Sequence, residues 1–124
     1  MPSGPVLIVE DELLVATFLA DIVEDLELAV IGPAASREAA LEAAAASPPA
    51  VAIVDANLGA GGSGIVLAKE LKDAYGTAII ILSGYADLAA SEAVVALDPV
   101  AVLQKPCLPD DLAAALRAAT SSGT

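Results

Sequence analysis

The chain has 124 residues, the length of one domain, and sets 5 Lys and Arg against 17 Asp and Glu for a net charge of -12. So acidic a composition leaves no basic footprint for nucleic-acid backbones or anionic lipid, which argues against direct DNA binding. With no histidine, and Cys107 as the one cysteine, imidazole catalysis, an internal disulfide and thiolate metal clusters are excluded as well.

The opening Met1 to Pro5 carries neither the basic residues nor the apolar run of a secretory signal, and the richest apolar stretch, Thr77 to Leu82, falls short of the about 18 residues that span a bilayer. The chain is therefore placed in the cytoplasm. Its apolar runs alternate between two kinds. Short β-branched runs at Val6 to Val9, Ala29 to Ile31, Val51 to Val54, Ala78 to Leu82 and Val100 to Leu103 are too continuous for strands with one wet face, and predict five buried parallel strands. Between and after them, segments of helical period predict helices: Leu14, Phe18, Ile22 and Leu26 at i+4 steps, then Ala39 to Ala46, Ile65 to Leu71, Leu88 to Leu97 and Leu112 to Ala119. Ser36 reads as the cap of the second helix, with Glu38 in its first turn. Pro48-Pro49 stops that helix, Gly76 ends the third and Asp98-Pro99 the fourth. The expected architecture is α/β: five βα units in a doubly wound parallel sheet with helices on both faces, one domain over residues 1–124 with its core from about 6 to 119 and a loose tail from 120 to 124.

In open α/β sheets the ligand site lies beyond the carboxyl ends of the strands. The residues there are Glu10-Asp11-Glu12, Asp55, Ser83-Gly84 and Lys105-Pro106. Taken singly each has an ordinary reading: acidic residues before a helix serve its dipole, and an Asp or Ser-Gly after a strand makes a turn. Lys105 is more telling, because Arg37, Lys69, Lys72 and Arg117 fall on predicted helices where a solvated face accounts for them, and Lys105 directly follows a strand. Carboxylates within about 4 Å of one another repel by about 4 kcal/mol per pair at an effective dielectric near 20 unless a cation intervenes. Hard oxygen ligands suit Mg²⁺, and a carboxylate can be the nucleophile of phosphoryl transfer if donors and positive charge surround the phosphoryl oxygens.

That order of residues (an acidic pair after the first strand, Asp after the third, Ser after the fourth, Lys-Pro after the fifth) resembles the receiver domain of bacterial two-component response regulators, over about Val6 to Ala119. The resemblance implies a flavodoxin-like strand order of 2-1-3-4-5. It assigns Asp55 as phosphoacceptor, Glu10, Asp11, Asp55 and the backbone carbonyl of Asn57 as ligands of Mg²⁺, Ser83 as the hydroxyl that meets the phosphoryl group, and Lys105 as its ion-pair partner, with a cis Lys105-Pro106 bond. The implied partners are a sensor histidine kinase or phosphotransfer protein and a downstream protein target. The implied role is signalling by a stand-alone receiver rather than conventional enzyme catalysis.

Departures from the family pattern are equally specific. Val102 stands where most receivers carry a swinging Tyr or Phe, so the switch falls to Ser83, Gly84, Tyr85 and their loop. The run Leu82-Ser83-Gly84-Tyr85 with Lys105-Pro106-Cys107 resembles the alphaproteobacterial subgroup named for its Phe-Ala-Thr-Gly motif. The loop from Asp55 to Gly64, rich in Gly59, Gly61 and Gly62, is one residue longer than the commonest form, lacks its Pro, and is expected to be mobile. Two alternatives stand beside the stand-alone receiver. One is a receiver excised from a larger regulator. The other is a haloacid-dehalogenase-type phosphotransferase, disfavoured because Asn57 occupies the place of that family's second Asp.

Overall fold

Short runs of Val, Ile and Leu place side chains on both faces of a strand, so they are stable only where helices cover both. In the computed structural model, which describes residues 4–58, 63–84 and 92–121, they do so as β1 (Val6–Val9), β2 (Val30–Ala34), β3 (Val51–Asp55), β4 (Ala78–Ser83) and β5 (Ala101–Gln104). The strands alternate with α1 (Leu13–Asp25), α2 (Arg37–Ala46), α3 (Gly64–Tyr75), α4 (Glu92–Leu97) and α5 (Pro109–Ser121). All strand pairs are parallel and the order is β2-β1-β3-β4-β5. This is the doubly wound, flavodoxin-like arrangement expected.

The strand faces define two cores. Leu7, Val9, Ala52, Val54, Ile79 and Ile81 pack under α2, α3 and α4, where Ala40, Ala44, Leu67, Leu71 and Leu97 meet them. Val6, Ile8, Val51, Ile53, Ile80 and Leu82 face α1 and α5 through Leu19, Val23, Leu112 and Leu116. Helix ends follow local chemistry. Ser36 Oγ accepts the Ala39 amide at 3.2 Å with Glu38 in the first turn, and Gly76 closes α3 at φ 67.

Three expectations are corrected. The two outer strands are not fully buried: Val30, Ile31 and Ala101 to Leu103 are half-buried and Gly32, Pro33 and Gln104 exposed, because an edge strand has a neighbour on one side only. The second strand also runs on through Gly32 (φ 93) and a cis Gly32-Pro33 bond to Ala34, with a register shift against β1 between Leu7 and Val9. Finally, Thr120 is not loose, since α5 extends to Ser121 and Thr120 Oγ1 donates to the Leu116 carbonyl at 2.9 Å. The fourth helix is seen from Glu92, and residues 85–91 lie outside those described. Among the described residues no helix is long and apolar enough to cross a membrane.

Candidate functional site

Backbone bonds at the carboxyl edge of the sheet draw the candidate residues together. Asp55 is the last residue of β3 and lies in register with Leu82, whose carbonyl accepts the Ala56 amide at 2.8 Å. The Lys105 amide donates to the Ser83 carbonyl at 2.7 Å, and the Glu10 amide to the Ala34 carbonyl at 3.0 Å. Asp55, Glu10 and Ser83 are buried, Asp11 is exposed, and the Lys105-Pro106 bond is cis as the resemblance implied.

Lys105 Nζ lies 2.9 Å from Asp55 Oδ2, 2.9 Å from Glu10 Oε2 and 3.7 Å from Glu12 Oε1. One cation thus faces three carboxylates. Burial pushes the Glu10 carboxyl up from its ordinary value; Lys105 and the Glu12 amide pull it back without cancelling this, and the charge of Asp55 adds to the rise. Burial alone would lower the pKa of Lys105, but its hydrogen bond to Asp55 and its close ion pair with Glu10 outweigh that, and the ammonium is held protonated beyond the ordinary lysine range. The remaining donors are local. Glu10 Oε1 accepts the Glu12 amide at 3.1 Å and Asp55 Oδ1 the Asn57 amide at 3.0 Å. Glu12, at the N-cap of α1, makes no side-chain cap bond, so the helix-dipole reading of this acidic run finds no support in capping.

Carboxylate oxygens of Glu10, Asp11 and Asp55 all lie within 4.8 Å of one another. Glu10 Oε2 is buried and, although it faces the charge of Lys105, receives no well-directed hydrogen bond. Three hard oxygens with negative charge left over after Lys105 fit a small divalent cation such as Mg²⁺. Glu12, Lys105 and Pro106 also line a cleft of about 500 Å³ that is otherwise apolar, with Leu14, Val15, Phe18, Leu82, Cys107 and Pro109 in its walls.

A family model, the response regulator receiver domain, matches residues 6–117. The chain belongs to the response regulator receiver domain family. Solved receivers superpose closely. The signal receiver domain of a modulated diguanylate cyclase from Desulfovibrio desulfuricans G20 has 28% identity and a TM-score of 0.86, the match covering 96% of this chain and 94% of that one. The receiver domain of the PhyR response regulator from Erythrobacter litoralis has 29% identity and a TM-score of 0.84, covering 96% and 91%. No curated protein sequence matches. Receivers are signalling modules that work with histidine kinases or phosphotransfer proteins.

Within this receiver the candidate residues Glu10, Asp11, Asp55, Asn57, Ser83 and Lys105 share one edge, and Gly84 follows Ser83 there, exposed. Val102 lies one strand out from Ile81 and packs, half-buried, on the α2–α3–α4 side of the core. Tyr85 and residues 59–62 of the glycine-rich loop lie outside those described. Sequence reasoning missed Gly64. A Cβ there would stand 1.8 Å from the Asp55 carbonyl oxygen, so the first turn of α3 abuts the end of β3 only because this residue has no side chain. The signal was present in Ser63-Gly64 just before a helical period: Ser63 Oγ caps α3 by accepting the Val66 amide at 3.3 Å.

Proposed function

We propose that this receiver accepts a phosphoryl group on Asp55 from a phosphohistidine of a sensor histidine kinase or phosphotransfer protein, with Mg²⁺ in the acidic pocket, and signals by binding a protein target. The observation that carries the reading is the geometry at Asp55: a buried strand-end carboxylate bonded to Lys105 at 2.9 Å, with Glu10 and Asp11 beside it. An Asp55 carboxylate oxygen attacks phosphorus in line. As the new phosphorus–oxygen bond forms, the phosphorus–nitrogen bond to the donor breaks and the imidazole leaves with the electron pair. Glu10, Asp11, Asp55 and the Asn57 carbonyl would hold the ion, which when bound supplies positive charge to the phosphoryl oxygens. On this reading Lys105 moves from Asp55 Oδ2 to an equatorial phosphoryl oxygen, and the Ser83 hydroxyl donates to another.

The donor's approach is favoured by apolar surface beside the pocket. Leu14 lines the cleft and is 86% exposed, Leu13 and Leu108, which adjoin lining residues in sequence, are 74% and 65% exposed, and this apolar surface suits the apolar face of a donor helix. Incubation with acetyl phosphate and Mg²⁺ should add one phosphoryl mass to the wild type and none to Asp55→Asn. Modification that persists in the variant would overturn the assignment.

A further inference from the structure

Helix α3 touches the candidate phosphoacceptor at one end and α4 at the other. At its start Gly64 is buried, its amide donates to the Ala56 carbonyl at 3.0 Å, and any side chain would meet the Asp55 carbonyl and Val54 Cγ1. There is no slack between the Asp55 backbone and the helix. Leu67, Ala68 and Leu71 fix the inner face of α3 in the core, so the helix can shift as a body more readily than it can bend. Two turns further on, about 12 Å along the axis, Lys72 reaches off α3. Its Nζ donates to the carbonyls of Leu97 at 2.5 Å and Asp98 at 3.3 Å.

Those two carbonyls end α4. Leu97 is buried in the same core as Leu71 and Ile81, and Asp98 turns the chain out of the helix at φ 52, its amide donating back to the carbonyls of Val94 and Val95. A helix end exposes carbonyls that its own ladder cannot satisfy and carries partial negative charge, so an ammonium there is both a bond and a charge match. Lys72 belongs to α3 and not to α4, which makes the cap an inter-helix clasp. The α3 route is thus a direct physical link from Asp55 to α4.

We propose that α3 is a strut that couples Asp55 to the end of α4, seated by Gly64 and clasped by Lys72. This rests on the reading of Asp55 as phosphoacceptor. Phosphorylation brings about -1.5 to -2 charge to that residue; adjustment of the Asp55 backbone moves the first turn of α3, and Lys72 carries the movement to Leu97 and Asp98.

The test is amide chemical-shift perturbation on adding beryllofluoride with Mg²⁺ to wild type, Lys72→Met and Lys72→Arg. In the wild type, shifts should appear at Asp55 and Gly64 and also at Leu97 and Asp98. Lys72→Met keeps the stem without the donor; its shifts at Asp55 and Gly64 should persist, while those at Leu97 and Asp98 fall to less than half. Lys72→Arg, which restores a donor, should recover them, and Lys72→Gln provides a second clasp-free variant if the Met protein is unstable. Undiminished Leu97 and Asp98 shifts in the clasp-free variants, or none there in the wild type, would overturn the strut while leaving the phosphoacceptor reading intact. Silence at Asp55 and Gly64 in the wild type would overturn both.

Discussion

Lys105 neutralises a pocket that has more negative charge than it can balance. With the ammonium removed, as in Lys105→Met, Glu10 and Asp55 become buried carboxylates that repel each other. Stripping one partner from a buried ion pair costs about 3–5 kcal/mol; the Lys105 side chain is 20% exposed, which places its loss below that range. In EDTA the variant should therefore melt below the wild type. Added Mg²⁺ should then raise its Tm by more than it raises the wild type's, because the ion takes over neutralisation that Lys105 shares in the intact pocket. At about 100 times its Kd a ligand adds about 2.7 kcal/mol, and Asp11→Asn should blunt that gain. Equal magnesium shifts in wild type, Lys105→Met and Asp11→Asn would mean that the ion does not bind among these carboxylates.

At the level of single elements, α1 presents Leu14 to solvent beside the cleft while its opposite side buries Ala16, Leu19 and Val23. Leu14→Asp should leave phosphorylation by acetyl phosphate unchanged, since a small donor needs no docking surface. It should slow transfer from a phosphohistidine protein about tenfold, as losing about 1.4 kcal/mol of apolar contact implies. An equal effect on both donors would place Leu14 in the fold rather than at an interface. Between α2 and α3, Arg37 pairs with Glu70, which holds the Glu70 carboxyl below its ordinary value. The pair therefore stabilises the fold above the unfolded carboxyl pKa, about 4.3, and the gain is lost as pH falls through the lower folded value. Glu70→Gln should lower the Tm at pH 7 and match the wild type at pH 2; a deficit of the same size at both pH values would exclude the ionic contribution. These elements were legible to different degrees. The strands and most helix ends could be read because their causes are local: β-branched runs, Ser36, Gly76, Asp98-Pro99. The site residues could be read because strand ends in an α/β sheet converge, and Lys105 directly follows a strand. Arg37 and Lys72 read as solvated helix residues, yet each is bonded to another helix. Such contacts depend on how helices are placed over the sheet, which no local pattern encodes, and the partial exposure of β2 and β5 depends likewise on strand order.

Over the whole molecule, a net charge of -12 on 124 residues makes the folded state repel itself. Raising ionic strength from about 0.01 M to 0.15 M shortens the screening length from about 30 Å to about 8 Å. Sodium chloride should accordingly raise the Tm in EDTA even though it weakens pairs such as Lys69–Asp73 on the surface; a Tm that falls with salt would mean that such pairs outweigh the overall repulsion. The same charge keeps copies of the chain apart at a distance, but charge does not protect a sheet margin once two molecules touch. There the bent end of β2 matters. Its exposed Gly32-Pro33 step sits on the outer margin of the sheet, the proline has no N–H to offer, and the register shift turns the strand away from a straight course. A stray strand seeking to extend the sheet meets an irregular strand containing a proline on that side, and on the other side β5 offers only four residues. The fold thus carries its own guard against strand addition and fibril growth, built from a dipeptide that interrupts an otherwise regular parallel sheet.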